Sequence, residues 1–371
     1  MTDLQRLIFW EPCLSRHKLE MFEALGQQCP RLQVICCADT DWPAPALISV
    51  LPAHVRTVVH PSVAEIDALI DEAPGATLHV FSGLRWVPTI VAALRGVRRR
   101  GASFAVMSEP RVREGLGGAA RWAQSWLTEG WLRRRVAFVL AQGRHGVPWF
   151  RSVGYPAERI FPYAYFVEPL DVDGEPEPYR RGCPVRVGYV GRLVRAKGVF
   201  QLLYAVAALG PAARLSVVGS GADEVALRAI APNVDFRGSL PNAAAVAFMR
   251  DLDVLVLPSL STDDGWGVVV SEALMQGTAV IASTAVGASL LLDEPLFGRH
   301  VRAGSGEALA HAIIDLRDAG EFSAPRRALR QQRARALLSA QAGARHLLEI
   351  VRWSQGAGPR PAAFHLEGCA L

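Results

Sequence analysis

The sequence predicts an α/β protein built from two doubly wound parallel sheets in tandem. Three observations lead there. Strand-like and helix-like runs alternate in two separate series. A proline-rich acidic stretch without periodicity lies between them. The chain has 371 residues, half of them apolar, which is enough for two cores. Strands alternating with helices of this length imply βαβ units and a parallel sheet.

The first series reads QRLIFW, HKLEMFEALGQQ, LQVICCA, VAEIDALIDEA, TLHVFSG, VPTIVAALRGVRRRG and SFAVMSE. It defines a first domain over 1–168. Residues 169–184, within EPLDVDGEPEPYRRGCP, read as an interdomain linker. The second series, over 185–340, reads VRVGYVG, GVFQLLYAVAAL, ARLSVVGSG, EVALRAIA, VDFRGSL, AAVAFMR, VLVLPS, VVVSEALMQG and TAVIAS. A basic helical stretch closes the chain, and 341–371 is assigned to a C-terminal helix and tail. Ligands of such sheets bind outside the carboxyl ends of the strands, so a central cleft between the domains is the expected site.

Bulk properties exclude some classes. No basic start precedes a long apolar run, so no signal peptide is expected. The longest weakly polar run, TAVIASTAVGASLLL, falls short of the roughly 20 residues that span a bilayer. A cytoplasmic protein, peripheral at most at the inner face of a membrane, is expected. Six cysteines show neither CxxC nor zinc spacing and read as reduced core thiols. The net charge of +5 is uneven: residues 1–170 hold 19 Lys and Arg against 15 Asp and Glu. Cations mix with tryptophan in LRGVRRRG (Arg95, Arg98, Arg99, Arg100) and WLTEGWLRRR (Trp126, Trp131, Arg133, Arg134, Arg135). Solvated helix faces are the plainer reading; an anionic membrane foothold is the functional one. No motif accompanies the charge that would suggest nucleic acid.

The second series carries the chemistry. In VGYVGRLVRAKG a strand ends at Gly188–Gly191, and Arg192 and Lys197 follow before a helix begins near Gly198. Glycines let a phosphate approach the backbone, a helix N-terminus offers free N–H groups, and two cations would neutralise a pyrophosphate. Gly219-x-Gly221 lacks a third glycine and marks a tight strand-to-helix turn. In DDGWGVVVSEAL, Gly265 and Gly267 open a helix that Gly277 ends, a second anion site. Asp264 and Glu272 are eight residues apart, roughly 12 Å if helical, too far to share a proton. That separation suits two groups on one extended ligand.

These residues, within about 187–292, resemble the family four retaining glycosyltransferases of the GT-B fold. The resemblance rests on GRLVRAK for the Arg-x4-Lys pair, VDFRGSLP beside the nucleobase, and LPS…DDGWGVVVSEALMQGTAVIAS for the acidic pair. It implies two Rossmann-like domains, an acceptor domain and a donor domain. It implies a nucleotide-sugar donor and a glycan or lipid-linked acceptor, as in polysaccharide or glycolipid synthesis. Arg192 and Lys197 would bind the donor diphosphate, Glu272 the ribose and Asp264 the transferred sugar. Gly191, Gly219, Gly238, Leu240, Gly265, Trp266, Gly267 and Val268 would complete the donor site. No cofactor and no metal are expected. The same resemblance leaves open a sugar-nucleotide epimerase of this fold and a non-catalytic nucleotide-binding scaffold.

The chain departs from the family in three places. The first acid is Asp264, one methylene shorter than the usual Glu. EPCLSRHKLEMFEAL stands where a glycine-rich loop is common, and VMSEPR offers Glu109 where the family often has His. Ser15, His17, Glu109 and His145 are therefore the acceptor-side candidates, with Glu109 also a candidate catalytic group. For Glu109 a helix-capping or linker role is the competing reading; for His17 and His145, plain surface positions. The DLD triplet at 251–253 mimics a metal-binding motif, but Asp253 precedes a strand and reads as a cap.

Overall fold

The computed structural model describes residues 6–14, 16–29, 31–37, 51, 55–172, 174, 176–177, 179–262 and 265–366. The chain divides into two compact units, 1–168 with 340–371 and 169–339. Each is a parallel sheet with helices, as the alternating runs require.

In the first unit the strands are β1 (Arg6–Glu11), β2 (Leu32–Cys36), β3 (Arg56–Val59), β4 (Thr77–Ser82), β5 (Ser103–Ser108), β6 (Val139–Gln142) and β7 (Ile160–Tyr163). Their order is β3-β2-β1-β4-β5-β6-β7, all parallel. β1 and β4 are buried along their whole length, the mark of central strands covered on both faces. The helices are α1 (Arg16–Gln28), α2 (Val63–Asp71), α3 (Pro88–Arg100), α4 (Gly115–Thr128), α5 (Gly130–Arg135) and α6 (Gly146–Ser152). A capping box starts α2: the Glu65 amide donates to the Ser62 hydroxyl, and the Ser62 amide donates to the Glu65 carboxylate. Trp10, Phe81, Phe104 and Val139 belong to the core on one side of this sheet.

The second unit holds β8 (Val185–Val190), β9 (Ala213–Val218), β10 (Asp235–Phe236), β11 (Val254–Leu257), β12 (Ala279–Ser283) and β13 (Gly298–Val301) in the order β10-β9-β8-β11-β12-β13. Its helices are α7 (Val199–Leu209), α8 (Glu224–Ile230), α9 (Asn242–Arg250), α10 (Val268–Met275), α11 (Gly306–Asp318) and α12 (Ala324–Leu338). Among the described residues of 169–184 there is neither helix nor strand, and Gln276 and Arg335 tie Leu170 and Asp171 to this unit.

The sequence treats 324–353 as one basic helical stretch. The structure breaks it at Ser339, whose φ/ψ of −65°/154° is extended. α13 (Ala340–Ser354) then joins the first unit, where its Gly343 lies so close to Phe166 that a Cβ would overlap the ring. In α12, Arg327 and Arg330 are buried rather than solvated. Arg330 donates to the carbonyls of Leu296, Gly277 and Glu321 and to the Glu321 carboxylate, so its charge stays hydrogen-bonded inside. Burial lowers its pKa to about 10.

Two further readings need correction. Asp253 is not a cap: it is fully buried and accepts from the Arg186 amide at 2.8 Å and from its guanidinium at 2.6 Å, locking the start of β8 to β11. The cysteines are not uniformly core thiols, since Cys37 is buried, Cys13 and Cys29 are half-buried and Cys183 is exposed. Of the LRGVRRRG arginines, Arg95, Arg98 and Arg99 are exposed, in line with a solvated helix face; Arg99 pairs with Asp67, Arg100 with Asp67 and Asp71, and Arg98 lies over the Trp131 ring.

Candidate active site

In the second unit the strand order reverses between β8 and β11, the place where open α/β sheets bind ligands. The loops after β8, β9, β10 and β11 therefore share one edge, and contacts lace them together. Gly191 donates to Val218, Leu193 to Ser220, Gly219 to Gly238, and Leu260 to Ala196. Glycine is required where these loops cross. A Cβ on Gly219 would overlap the Gly191 carbonyl, and one on Gly198 (φ 70°) the Pro258 carbonyl.

Arg192 and Lys197 sit on the first of these loops. Arg192 is exposed, and Lys197 is half-buried in a 3-10 turn just before α7. Gly265 (φ 60°) and Gly267 (φ 79°) lead into α10, whose first backbone bond runs from Val270 to Gly267. The amides of Val268 and Val269 precede that bond, where helices receive anions. Glu272 lies in the next turn, half-buried, and accepts from Asn242 Nδ2 at 2.9 Å. Asn242 opens α9, directly after the loop of Gly238 and Leu240. Ser220 and Ser239 share a hydroxyl contact of 2.9 Å on the same edge. Trp266, between Gly265 and Gly267, is 1% exposed, and its indole N–H donates to Ser271 Oγ at 3.0 Å. Asp264 lies outside the described residues.

In the first unit the reversal falls between β1 and β4. Glu11 and Ser82 meet there. Glu11 is fully buried; its carboxylate accepts from Ser82 Oγ at 2.5 Å and from Lys18 Nζ at 2.6 Å. Lys18 also reaches Ser82 Oγ at 3.2 Å. It stands in the first turn of α1, the end of a helix dipole that disfavours cations, so the buried pair holds it against a local preference. Glu109 follows β5 and accepts from the Tyr165 hydroxyl at 3.0 Å. That contact replaces the helix-cap reading, because Glu114 occupies the N-cap of α4. Burial, with help from Glu109, pushes the Tyr165 pKa up. Burial also raises the Cys13 thiol pKa, against the opposing pull of Lys18. His17 is exposed on α1, and His145 is the half-buried N-cap of α6. Ser15 lies outside the described residues.

Glu11, Lys18, Ser82, Tyr165 and Asn242 were not singled out from the sequence. Only one signal was available: an apolar strand, RLIFWE, that ends on a carboxylate. Among the described residues no group of three His, Cys, Asp or Glu side chains is placed to hold a metal ion. No helix among them is long and apolar enough to cross a membrane.

Residues 184–318, which contain every donor-side residue named above, match the family described as Glycosyl transferases group 1. It is this segment of the second unit, rather than the whole chain, that resembles that family. The chain is 41% identical over 112 residues to the 2-deoxystreptamine glucosyltransferase of Streptomyces kanamyceticus, covering 28% of each chain. It is 34% identical over 107 residues to the phosphatidyl-myo-inositol mannosyltransferase of Mycobacterium leprae, again 28% of each. The chain thus spans less than a third of the length of these curated relatives. Over both units the fold matches the Anabaena protein Alr3699/HepE in complex with UDP: TM-score 0.68, 16% identity, 94% of this chain and all of that one. At that identity the likeness is one of fold, and the fold is GT-B.

Proposed function

We propose that the chain is a retaining hexosyltransferase. It moves a sugar from a nucleoside diphosphate sugar to a hydroxyl of a glycan or lipid-linked acceptor, in cell-surface polysaccharide or glycolipid synthesis. The reading rests on the glycine-rich carboxyl edge of the second unit, where the loop of Arg192 and Lys197 neighbours the loop that leads to the α10 N-terminus, with Glu272 one turn further on. In the proposed reaction the bond from the anomeric carbon to the diphosphate oxygen breaks, the acceptor hydroxyl oxygen bonds to that carbon on the same face, and the hydroxyl proton passes to the departing diphosphate. Negative charge develops on the departing diphosphate. Fixed cations and helix amides stabilise it more than they stabilise the bound donor, which is what speeds the step. On this reading the two cations carry the role a metal would otherwise fill.

Glu272 accepts from the ribose hydroxyls, and Asn242 holds its carboxylate in place. Asp264 contacts the transferred sugar. On the acceptor side, Glu109 and Lys18 present a carboxylate and an ammonium group at the carboxyl edge of the first unit, and both can bind hydroxyls. The names of the relatives, a glucosyltransferase and a mannosyltransferase, favour a hexose.

The test is donor hydrolysis, which needs no acceptor. The protein is incubated with a panel of UDP- and GDP-hexoses, and released sugar is followed by NMR. Slow release from one donor, with the first-formed anomer matching that donor, supports the reading. Release as the opposite anomer overturns retention. A donor converted to another nucleotide sugar, with no release, points to the epimerase. Diphosphate binding without any turnover points to the scaffold.

A further inference from the structure

We infer that the outward face of α4 is a docking surface for an anionic lipid bilayer. The helix is built inside out. Its buried residues are Gly118 and Ser125, and Gly118 lies so close to the Arg113 carbonyl that a Cβ would overlap it. Leu116, Ala120, Ala123 and Leu127 recur at helical spacing and share the opposite face. Leu116 is 92% exposed and Leu127 71%. A surface helix ordinarily turns such a stripe to the core.

Aromatic groups extend the patch. Trp86 and Trp126 are the exposed tryptophans among the described residues, at 68% and 49%. Trp126 lies on α4 itself. Arg85 bonds to Thr128 at 2.6 Å, which brings the neighbouring Trp86 to the end of the same helix. Tryptophan with an apolar body and a polar N–H is suited to the bilayer–water boundary.

Charge decides the occupant. Residues 111–135 hold six Arg and two Glu, a net +4 in a chain whose total is +5. Glu129 does not offset this at the surface, because it is buried and committed to Arg85 and Tyr155. Arg113, Arg134 and Arg135 are exposed, and no carboxylate among the described residues is ion-paired to them within hydrogen-bonding reach. A second copy docking through the same patch would set like charge against like charge. An apolar stripe on so basic a segment instead fits a helix lying in the plane of an anionic interface.

The test is co-sedimentation of the full chain with vesicles of phosphatidylcholine alone or mixed with phosphatidylglycerol, at low salt and at about 0.5 M salt. Three proteins are compared: wild type, Leu116→Ser/Leu127→Ser, and Arg113→Gln/Arg134→Gln/Arg135→Gln. Wild type should bind the phosphatidylglycerol vesicles, and less so at high salt. The leucine variant should lose roughly tenfold or more in partitioning. The arginine variant should lose roughly fivefold per charge on anionic vesicles. Because all five side chains lie at the surface, melting temperatures and UDP or GDP affinity should stay unchanged. No vesicle binding by wild type, or equal binding by all three proteins, overturns the proposal. So does self-association or capture of an acidic protein that needs Leu116 and Leu127 while vesicles are ignored. The readout uses no sugar nucleotide, so it stands or falls independently of the transferase reading.

Discussion

Gly198→Ala tests whether the crossing of loops, rather than the charges alone, builds the phosphate site. Gly198 has φ 70°, and a Cβ there would overlap the Pro258 carbonyl oxygen. An L-residue in that conformation costs roughly 1–2 kcal/mol. Overpacking adds roughly 1–3 kcal/mol. The oxygen cannot easily retreat, because Leu260, two residues on, donates to Ala196 on the opposing loop at 2.7 Å. The sum, about 2–5 kcal/mol, corresponds to a fall of about 5–15 °C in the melting temperature of a domain this size. Relieving the overlap must move the loop of Arg192 and Lys197 away from the loop after β11. Calorimetry should then show UDP or GDP affinity reduced roughly tenfold or more, the worth of one charge-assisted hydrogen bond. Unchanged melting together with unchanged diphosphate affinity would refute the argument that this crossing sets the site.

Glu272→Gln should raise the donor KM and weaken nucleoside diphosphate binding, whereas Asp264→Asn should lower kcat and leave diphosphate affinity nearly constant; the reverse pattern in steady-state kinetics and calorimetry would exchange the two roles. Lys18→Met should impair transfer to acceptors while donor hydrolysis and diphosphate affinity persist, and a variant altered only in melting temperature would make Lys18 a purely structural tie. Asp253→Asn should cost about 1–3 kcal/mol in denaturant unfolding, because the part-exposed Arg186 guanidinium loses its charged partner while the asparagine oxygen keeps one acceptor. His79 is buried, and burial lowers its pKa from 6.5 to about 3, so its contribution to stability is complete above pH 6.5 and drains as pH falls from there towards 3. At pH 5 the loss is roughly 2 kcal/mol. His79→Gln, which keeps an acceptor for the Trp10 N–H, should reduce the acid slope of unfolding; His346, lowered to about 4 by burial, contributes in the same direction.

The parallel sheets were legible because strands buried on both faces are written as short apolar runs, such as VLVL at β11. Strand order was not, since no local pattern states which strands pair. The donor loops were legible for a related reason. Gly198, Gly219 and Gly267 stand where backbone needs a positive φ or a close approach, and that need shows in the chain itself. Partnerships across long separations left no such trace. Glu11 meets Ser82 after 71 residues, Tyr165 meets Glu109 after 56, and Asn242 meets Glu272 after 30. The inward turn of the Trp266 ring onto Ser271 was likewise not legible from sequence spacing. The burial of Arg327 and Arg330 was not legible, because it depends on carbonyls from Leu252, Gly277 and Leu296, which sequence spacing does not reveal.

The central claim is that Arg192 and Lys197 grip a diphosphate at the switch point of the second sheet. Calorimetric titration of UDP, GDP and the two bare nucleosides into wild type and Arg192→Ala/Lys197→Ala tests it most directly. Each lost charge-assisted bond is worth roughly 1.5–3 kcal/mol, so the preferred diphosphate should lose roughly a hundredfold or more in affinity. The matching nucleoside, held through Glu272 and the Gly238 loop, should bind both proteins alike. Equal diphosphate affinity for the two proteins would contradict the account.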